Sequence, residues 1–330
     1  MTILVTGAHG YVGAVVLGRL VALGHNVKTA DAGWFDHARV APITRSAADW
    51  DDFRTPTVQD LRGVDAVIHL AGYSNDPMGW LNPQETYDLN EKAAIALAQL
   101  AKQAGVGRFV FSSTCSVYGE SGAIELDETG PTKPITPYAA AKLGAEKALL
   151  SLNDAGFEVA ILRGATAFGA SPVPRTDLLL NELCAEAACG RPIRLLSDGK
   201  SWRPFMPVQD FARALVTAAV QRPVGNTKPP IWNIAPPNMQ MTVQEAATRA
   251  AIAGQAAPPL LGENGQADRR SYRVNGTAFL RAFPSFSYSD DFESHVAQTI
   301  DVFRQIPTLD ADLRADRFVR LARFKQAGAA

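Results

Sequence analysis

The sequence predicts an α/β protein: a doubly wound parallel sheet with a smaller C-terminal α/β lobe. Three observations carry that prediction. Short, β-rich apolar runs recur with no polar face, as in strands buried on both sides. Stretches of helical periodicity fill the intervals between them. The first run breaks into a glycine-rich turn that opens directly into a helix.

In order, Thr2–Thr6, Asn26–Ala30, Ala66–Leu70, Arg108–Ser112 and Glu158–Leu162 read as strands. Tyr11–Leu23, Pro83–Ala104 and Pro137–Asn153 read as the helices between them. After Gly164 the pattern loosens. Ala170–Arg175 is loop-like, Asp177–Cys189 helical, Pro204–Pro207 an interruption, Asp210–Val220 a helix and Ile231–Ile234 a short strand. At roughly 150 residues per domain, the 330 residues suffice for about two. The expected division is 1–165 with 208–235 returning to it, against a second lobe of 166–207 and 236–330.

Composition sets limits. Hydrophobic residues make up 47% and charged residues 20%, enough for a sizeable core. A formal net charge of −1 gives no electrostatic pull toward nucleic acid or anionic lipid. Cys115, Cys184 and Cys189 are too few for a disulfide framework and lack zinc-ribbon spacing, so no metal site is expected. The apolar start has no basic leader and carries Arg19, and no window reaches the ~20 apolar residues of a membrane span. A cytoplasmic protein is expected.

Gly7-Ala-His9-Gly10-Tyr11-Val12-Gly13 lies between the first strand and first helix. Gly7 permits the tight turn, Gly10 lets backbone approach a pyrophosphate, and Gly13 allows close helix–sheet packing. Asp31 follows at the end of the second strand, where a carboxylate accepts from ribose hydroxyls and repels a ribose phosphate. The cofactor is therefore NAD rather than NADP. Tyr138 and Lys142 are spaced i, i+4 and share a helix face, with Thr136 as its cap and Pro137 at its first position. A nearby ammonium favours the phenolate. By itself the pair also fits an ordinary amphipathic helix. Upstream, Phe111-Ser112-Ser113-Thr114-Cys115-Ser116-Val117-Tyr118-Gly119 leaves a strand end with a row of hydroxyls.

With Val64–Gly72 and Trp202-Arg203-Pro204-Phe205, these motifs resemble the extended short-chain dehydrogenase/reductases, specifically the NAD-dependent epimerase/dehydratase family, from Thr6 to about Asn275. The resemblance implies a Rossmann-type fold. It makes Thr114 the hydroxyl that hydrogen-bonds the reacting oxygen and Tyr138 the acid/base. Lys142 would bind the nicotinamide ribose and lower the Tyr pKa. It further implies cofactor contacts from Asp49 and Trp50 beside adenine, from the Leu70-Ala71-Gly72 turn and from Ser112, with Asn90 as a structural Asn. Substrate contacts would come from Thr166, Asn181, Arg203 and Arg270, the last two arginines suiting a diphosphate.

The resemblance implies nucleoside-diphosphate sugars as substrates and a homodimer through the helices of 83–104 and 137–153. Cys115 and Ser116 stand where sugar dehydratases carry acids, which disfavours dehydration. The expected activity is carbon-4 epimerisation of a nucleotide hexose. The alternatives are a ketosugar reductase or sugar dehydrogenase, a sugar-acid decarboxylase, or a nucleotide-sensing binder without catalysis. The charged tail Asp310–Lys325 reads as one amphipathic helix, solvated and covering the lobe.

Overall fold

Strand β1 (Thr2–Thr6) leads through the glycine turn to α1 (Tyr11–Ala22), β2 (Asn26–Ala30), α2 (Val58–Leu61) and β3 (Ala66–His69). Two short helices follow, α3 (Asp76–Leu81) and α4 (Pro83–Tyr87), and a π-helical turn (Asp88–Ala93) joins α4 to α5 (Ala94–Gln103). Then come β4 (Arg108–Thr114), β5 (Glu120–Leu126), α6 (Pro137–Leu152), β6 (Glu158–Gly164), β7 (Thr166–Phe168) and α7 (Leu179–Ala188). β8 (Trp202–Pro207), α8 (Val208–Val220), β9 (Ile231–Ile234), β10 (Gln240–Thr242) and α9 (Val243–Gly254) continue the chain. It closes with β11 (Ser271–Val274), α10 (Thr277–Ala282), α11 (Phe292–Arg304), α12 (Leu309–Asp312) and α13 (Arg320–Gln326). The computed structural model describes residues 1–43, 50–225, 229–262 and 271–326.

Six strands form one parallel sheet in the order β2-β1-β3-β4-β6-β9. Its apolar strands serve two cores at once, because successive side chains point to opposite faces. Ile3, Val5, Ile68 and Val110 pack with Leu17 and Leu20 of α1 and Leu215 of α8. Leu4, Val67, Phe109 and Phe111 pack with Leu97 of α5 and Leu149 of α6. A separate core joins α7, α9 and α11 around Phe168, Phe205 and Phe292. Two small sheets, β10-β8-β7 and β11-β5, lie outside the main one.

Several elements differ from the sequence reading. The helix expected over Pro83–Ala104 is present as α4, the π turn and α5 in unbroken succession, and the unexpected π turn aims Asn90 inward beneath the turn after β3. Pro204–Pro207 belongs to β8 rather than to a break. Its partners β7 and β10 are only three residues long, so the donors missing from proline forfeit few ladder bonds. Helix α7 begins at Leu179 rather than Asp177, because the Asp177 carboxylate is taken by the side chain of Arg175 and the backbone of Arg320. The tail is two short helices, α12 and α13, not one, and Arg320 and Phe324 on α13 are buried.

Candidate active site

The carboxyl ends of β1, β2, β3 and β4 open into one cavity of about 610 Å³, walled on the far side by the loop after β7 and by α13. Its floor is the glycine turn. Gly7 has φ +69°, and a Cβ there would meet the Ala71 nitrogen at 2.9 Å; one on Gly13 would meet the Gly7 carbonyl oxygen at 2.0 Å. Neither side chain fits without backbone movement. Gly10 caps α1 with no side-chain acceptor, leaving first-turn N–H groups beside the cavity. Tyr11 and Val12 also line it, while His9 is buried behind.

The Asp31 carboxylate accepts from the backbone N–H of His9 at 2.9 Å and of Gly33 at 2.8 Å, which fixes it at the cavity edge. Trp50 lies beside this edge without lining it. Its backbone pairs with Thr29 and Asp31, and Lys28 sits over its ring, so Asp51, Asp52 and Phe53 form the wall instead. Asp49 and Arg270 fall outside the described residues.

Leu70, Ala71 and Gly72 pass over the glycine turn. Leu70 and Ala71 donate their N–H groups to Thr6 Oγ1, both at 3.2 Å. Asn90 is fully buried behind them, accepting from Tyr73 N at 2.8 Å and donating to Tyr73 O at 2.9 Å. It braces the turn rather than lining the cavity, and a Cβ on Gly72 would sit 2.2 Å from its side-chain oxygen.

At the other end, Thr136 caps α6 by accepting from Ala139 N at 3.2 Å, while its hydroxyl donates to Asp76 at 2.5 Å. That start places Tyr138 and Lys142 on the cavity wall with Ser112 and Thr114 of β4. Thr114 hydrogen-bonds the Tyr138 side chain. Lys142 donates to the Ser112 carbonyl at 2.9 Å and lies 4.6 Å over the Phe111 ring. Burial pulls its ammonium down to about 8, against the opposing charge of Glu146. Burial first, then Asp76, pushes the Tyr138 phenol up, while Arg175 and the Thr114 hydrogen bond act the other way. The cation that favours the phenolate here is thus Arg175, because Lys142 is turned to Ser112.

Beneath this end lies a closed polar network. Arg163 donates to both carboxylate oxygens of Glu146, at 2.7 to 3.2 Å, and to the Tyr118 hydroxyl at 2.9 Å. Ser113 donates to Glu146 at 2.5 Å, and Tyr118 to Asn233 at 2.7 Å. It ties β4, α6, β6 and β9 together.

Of the expected substrate contacts, Thr166 and Arg203 line the cavity, with Arg203 stacked 5.6 Å over Tyr272. Asn181 does not. It is fully buried, accepting from Gly169 N and donating to Tyr11 Oη and the Arg175 carbonyl, so its amide braces the lobe against α1. The sequence reading missed Arg175, Asp177, Trp34, Phe35, Arg320 and Phe324, all in the wall. Only Arg175-Thr-Asp177 carried a local signal, opposite charges two residues apart after a proline-rich loop.

A cradle that excludes Cβ atoms, a carboxylate at the cavity edge after β2, and a Tyr/Lys/Thr group across the same cavity define a nicotinamide-dinucleotide-dependent enzyme of Rossmann type. The profile of the NAD dependent epimerase/dehydratase family matches residues 3–235, and the chain belongs to that family. It is 33% identical over 235 residues to a UDP-glucose 4-epimerase of Azospirillum brasilense, covering 66% of this chain and 67% of that one. Among solved structures, MoeE5 in complex with UDP-glucose and NAD is 27% identical with TM-score 0.79, covering 92% of this chain and 99% of that one. TunA, an NAD-dependent NDP-hexosamine 5,6-dehydratase, is 25% identical with TM-score 0.81, over 94% and 99%.

Proposed function

We propose that the protein epimerises a nucleoside-diphosphate hexose at carbon 4. The observation that carries this reading is the pairing of Tyr138 with Thr114 inside the dinucleotide cavity, with no acid at the two following positions. Cys115 is buried, donates to the Arg163 carbonyl at 3.2 Å, and has its thiol pushed up by burial, so it supplies no thiolate. Ser116 on the cavity wall is a neutral hydroxyl, far too weak an acid to replace a carboxylic acid. The name of the Azospirillum relative supports carbon 4 and a uridine diphosphate sugar.

Bound NAD supplies a reversible two-electron acceptor at the sugar carbon. Thr114 holds the reacting hydroxyl oxygen, and Tyr138 takes its proton and returns it after the ketose has turned over. Arg203 faces the diphosphate, and Arg175 favours the Tyr138 phenolate that takes the proton and is regenerated when the proton returns. Incubating the enzyme with UDP-glucose and following UDP-galactose by NMR tests the reading. Formation of the 4-epimer without added reductant supports it. Consumption of one equivalent of NADH or NAD per turnover overturns it in favour of a reductase or dehydrogenase.

A cytoplasmic homodimer joined through α5 and α6 belongs to the same proposal. Half-buried Ala140 and Ala148 on α6 would face a second copy, whereas Gly144 between them packs against Glu91 of this chain's own π turn. Light scattering at micromolar concentration reads the mass directly. Among the described residues, no helix is long and apolar enough to cross a membrane.

A further inference from the structure

Arg320 is 2% exposed, yet both of its terminal guanidinium nitrogens lack a hydrogen-bond partner among the described residues. Buried donors are almost always satisfied, and a charged group without partners is the costliest exception. Its plane stacks 3.8 Å from the centre of the Phe35 ring, and its backbone N–H is anchored on Asp177 at 3.1 Å. The carboxylates whose charge acts on it are already engaged. Asp31 takes the N–H groups of His9 and Gly33, and Asp177 takes Arg175 and Asn75. Arg320 lines the cavity together with Gly10, so the cavity is where an acceptor for its guanidinium can come from.

The surroundings say what should fill the gap. Phe35 follows Asp31 by four residues, so Arg320 sits at the ribose end of the glycine turn and not at the Tyr138 end. The same cavity is lined by Gly10, Tyr11, Val12 and Gly13 at the start of α1, a helix of 12 residues whose first turn has no side-chain cap. Phe324, one turn further along α13, stacks on Trp34 at 4.6 Å and meets Tyr73 edge-on at 4.9 Å, holding the segment against the cavity mouth. Two sets of N–H donors on one cavity, a helix start and a guanidinium, suit a dianionic pyrophosphate.

We propose that Arg320, carried by the C-terminal segment, binds the pyrophosphate of the dinucleotide, so that this segment is the outer wall of the cofactor site. The proposal rests on the dinucleotide cavity and not on the sugar chemistry.

The test compares dissociation constants of the cofactor-stripped full chain for NAD⁺, ADP, adenosine and UDP by calorimetry. R320Q is expected to weaken NAD⁺ and ADP by about 10- to 100-fold while leaving adenosine and UDP unchanged. R320K should recover part of the loss, as a point charge without the fork. Should R320Q not fold, judged by circular dichroism, the ratio of NAD⁺ to adenosine affinity in R320K carries the test. Unchanged NAD⁺ affinity overturns the proposal, and so does equal weakening of adenosine, which marks a structural role. Loss confined to UDP overturns it as well, by assigning the guanidinium to the substrate's diphosphate. Wild-type protein that binds neither ADP nor NAD⁺ would instead sink the assignment of the cavity itself.

Discussion

Two arginines are equally hidden and oppositely treated. Arg163, 4% exposed, has Glu146 and Tyr118 around it, and although burial works against its charge these partners more than offset that and hold its pKa up. Arg320, 2% exposed, has terminal nitrogens without acceptors, and burial pulls it down to about 9, with Arg175 adding repulsion. One guanidinium is finished by the fold alone, in a network under the reacting end of the cavity. The other is finished only by something that enters. The contrast separates the part of the cavity whose polar groups the fold itself satisfies from the part that we propose a ligand completes.

The severest break leaves both arginines in place. Tyr138→Phe removes the proposed acid/base and should lower turnover by about 100- to 10,000-fold, with NAD content of the purified protein unchanged. Loss of bound NAD alongside activity would mean that the two ends of the cavity are not separable. Glu146→Gln strips the finished arginine of its counter-charge and should cost about 3–5 kcal/mol in urea unfolding, since it leaves a buried charge uncompensated.

A third buried base sharpens the comparison by avoiding charge. Thr6 Oγ1 accepts from Leu70 and Ala71, so its proton points to His69 Nδ1 at 2.7 Å, which places the ring proton on Nε2 of a neutral imidazole. Burial, with Lys142 adding to it, pushes His69 from 6.5 down to about 3. Between those values the unfolded chain binds the proton and the folded chain does not, so stability falls as pH drops from about 6.5 toward 3 and is flat with respect to this group above. His69→Leu should flatten that acid limb in unfolding titrations from pH 7 to 4. The smallest effect belongs to R320Q without cofactor, expected within about 1 kcal/mol of wild type by the same unfolding assay. A loss as large as that of Glu146→Gln would erase the distinction between the two arginines.

What the sequence made legible follows the same division. The glycine turn and the Tyr138/Lys142 spacing are local, and local backbone geometry dictates them wherever they occur. Asn181 was misread because a polar residue on an amphipathic helix does not announce which neighbour it bonds, and here the partners lie on α1 and the preceding loop. Trp34, Phe35, Arg320 and Phe324 form one wall from opposite ends of the chain, so no window of sequence contains the contact. The tail's periodicity signalled a helix-forming stretch that covers the lobe, as Leu309, Leu313 and Phe318 do, but not that it divides in two and sends Arg320 and Phe324 to the cavity.

The π turn at Asp88–Ala93 carries a consequence for how this chain tolerates change in length. Removing one residue there would let an ordinary helix run through, the more comfortable local conformation. Everything upstream would then rotate by about 100° relative to everything downstream. Asn90 would swing off Tyr73, and the turn it fastens over the glycine loop would come undone. Surface loops elsewhere can gain or lose residues freely, whereas this stretch keeps a reading frame, in which a single deletion is felt at a strand end some twenty residues earlier.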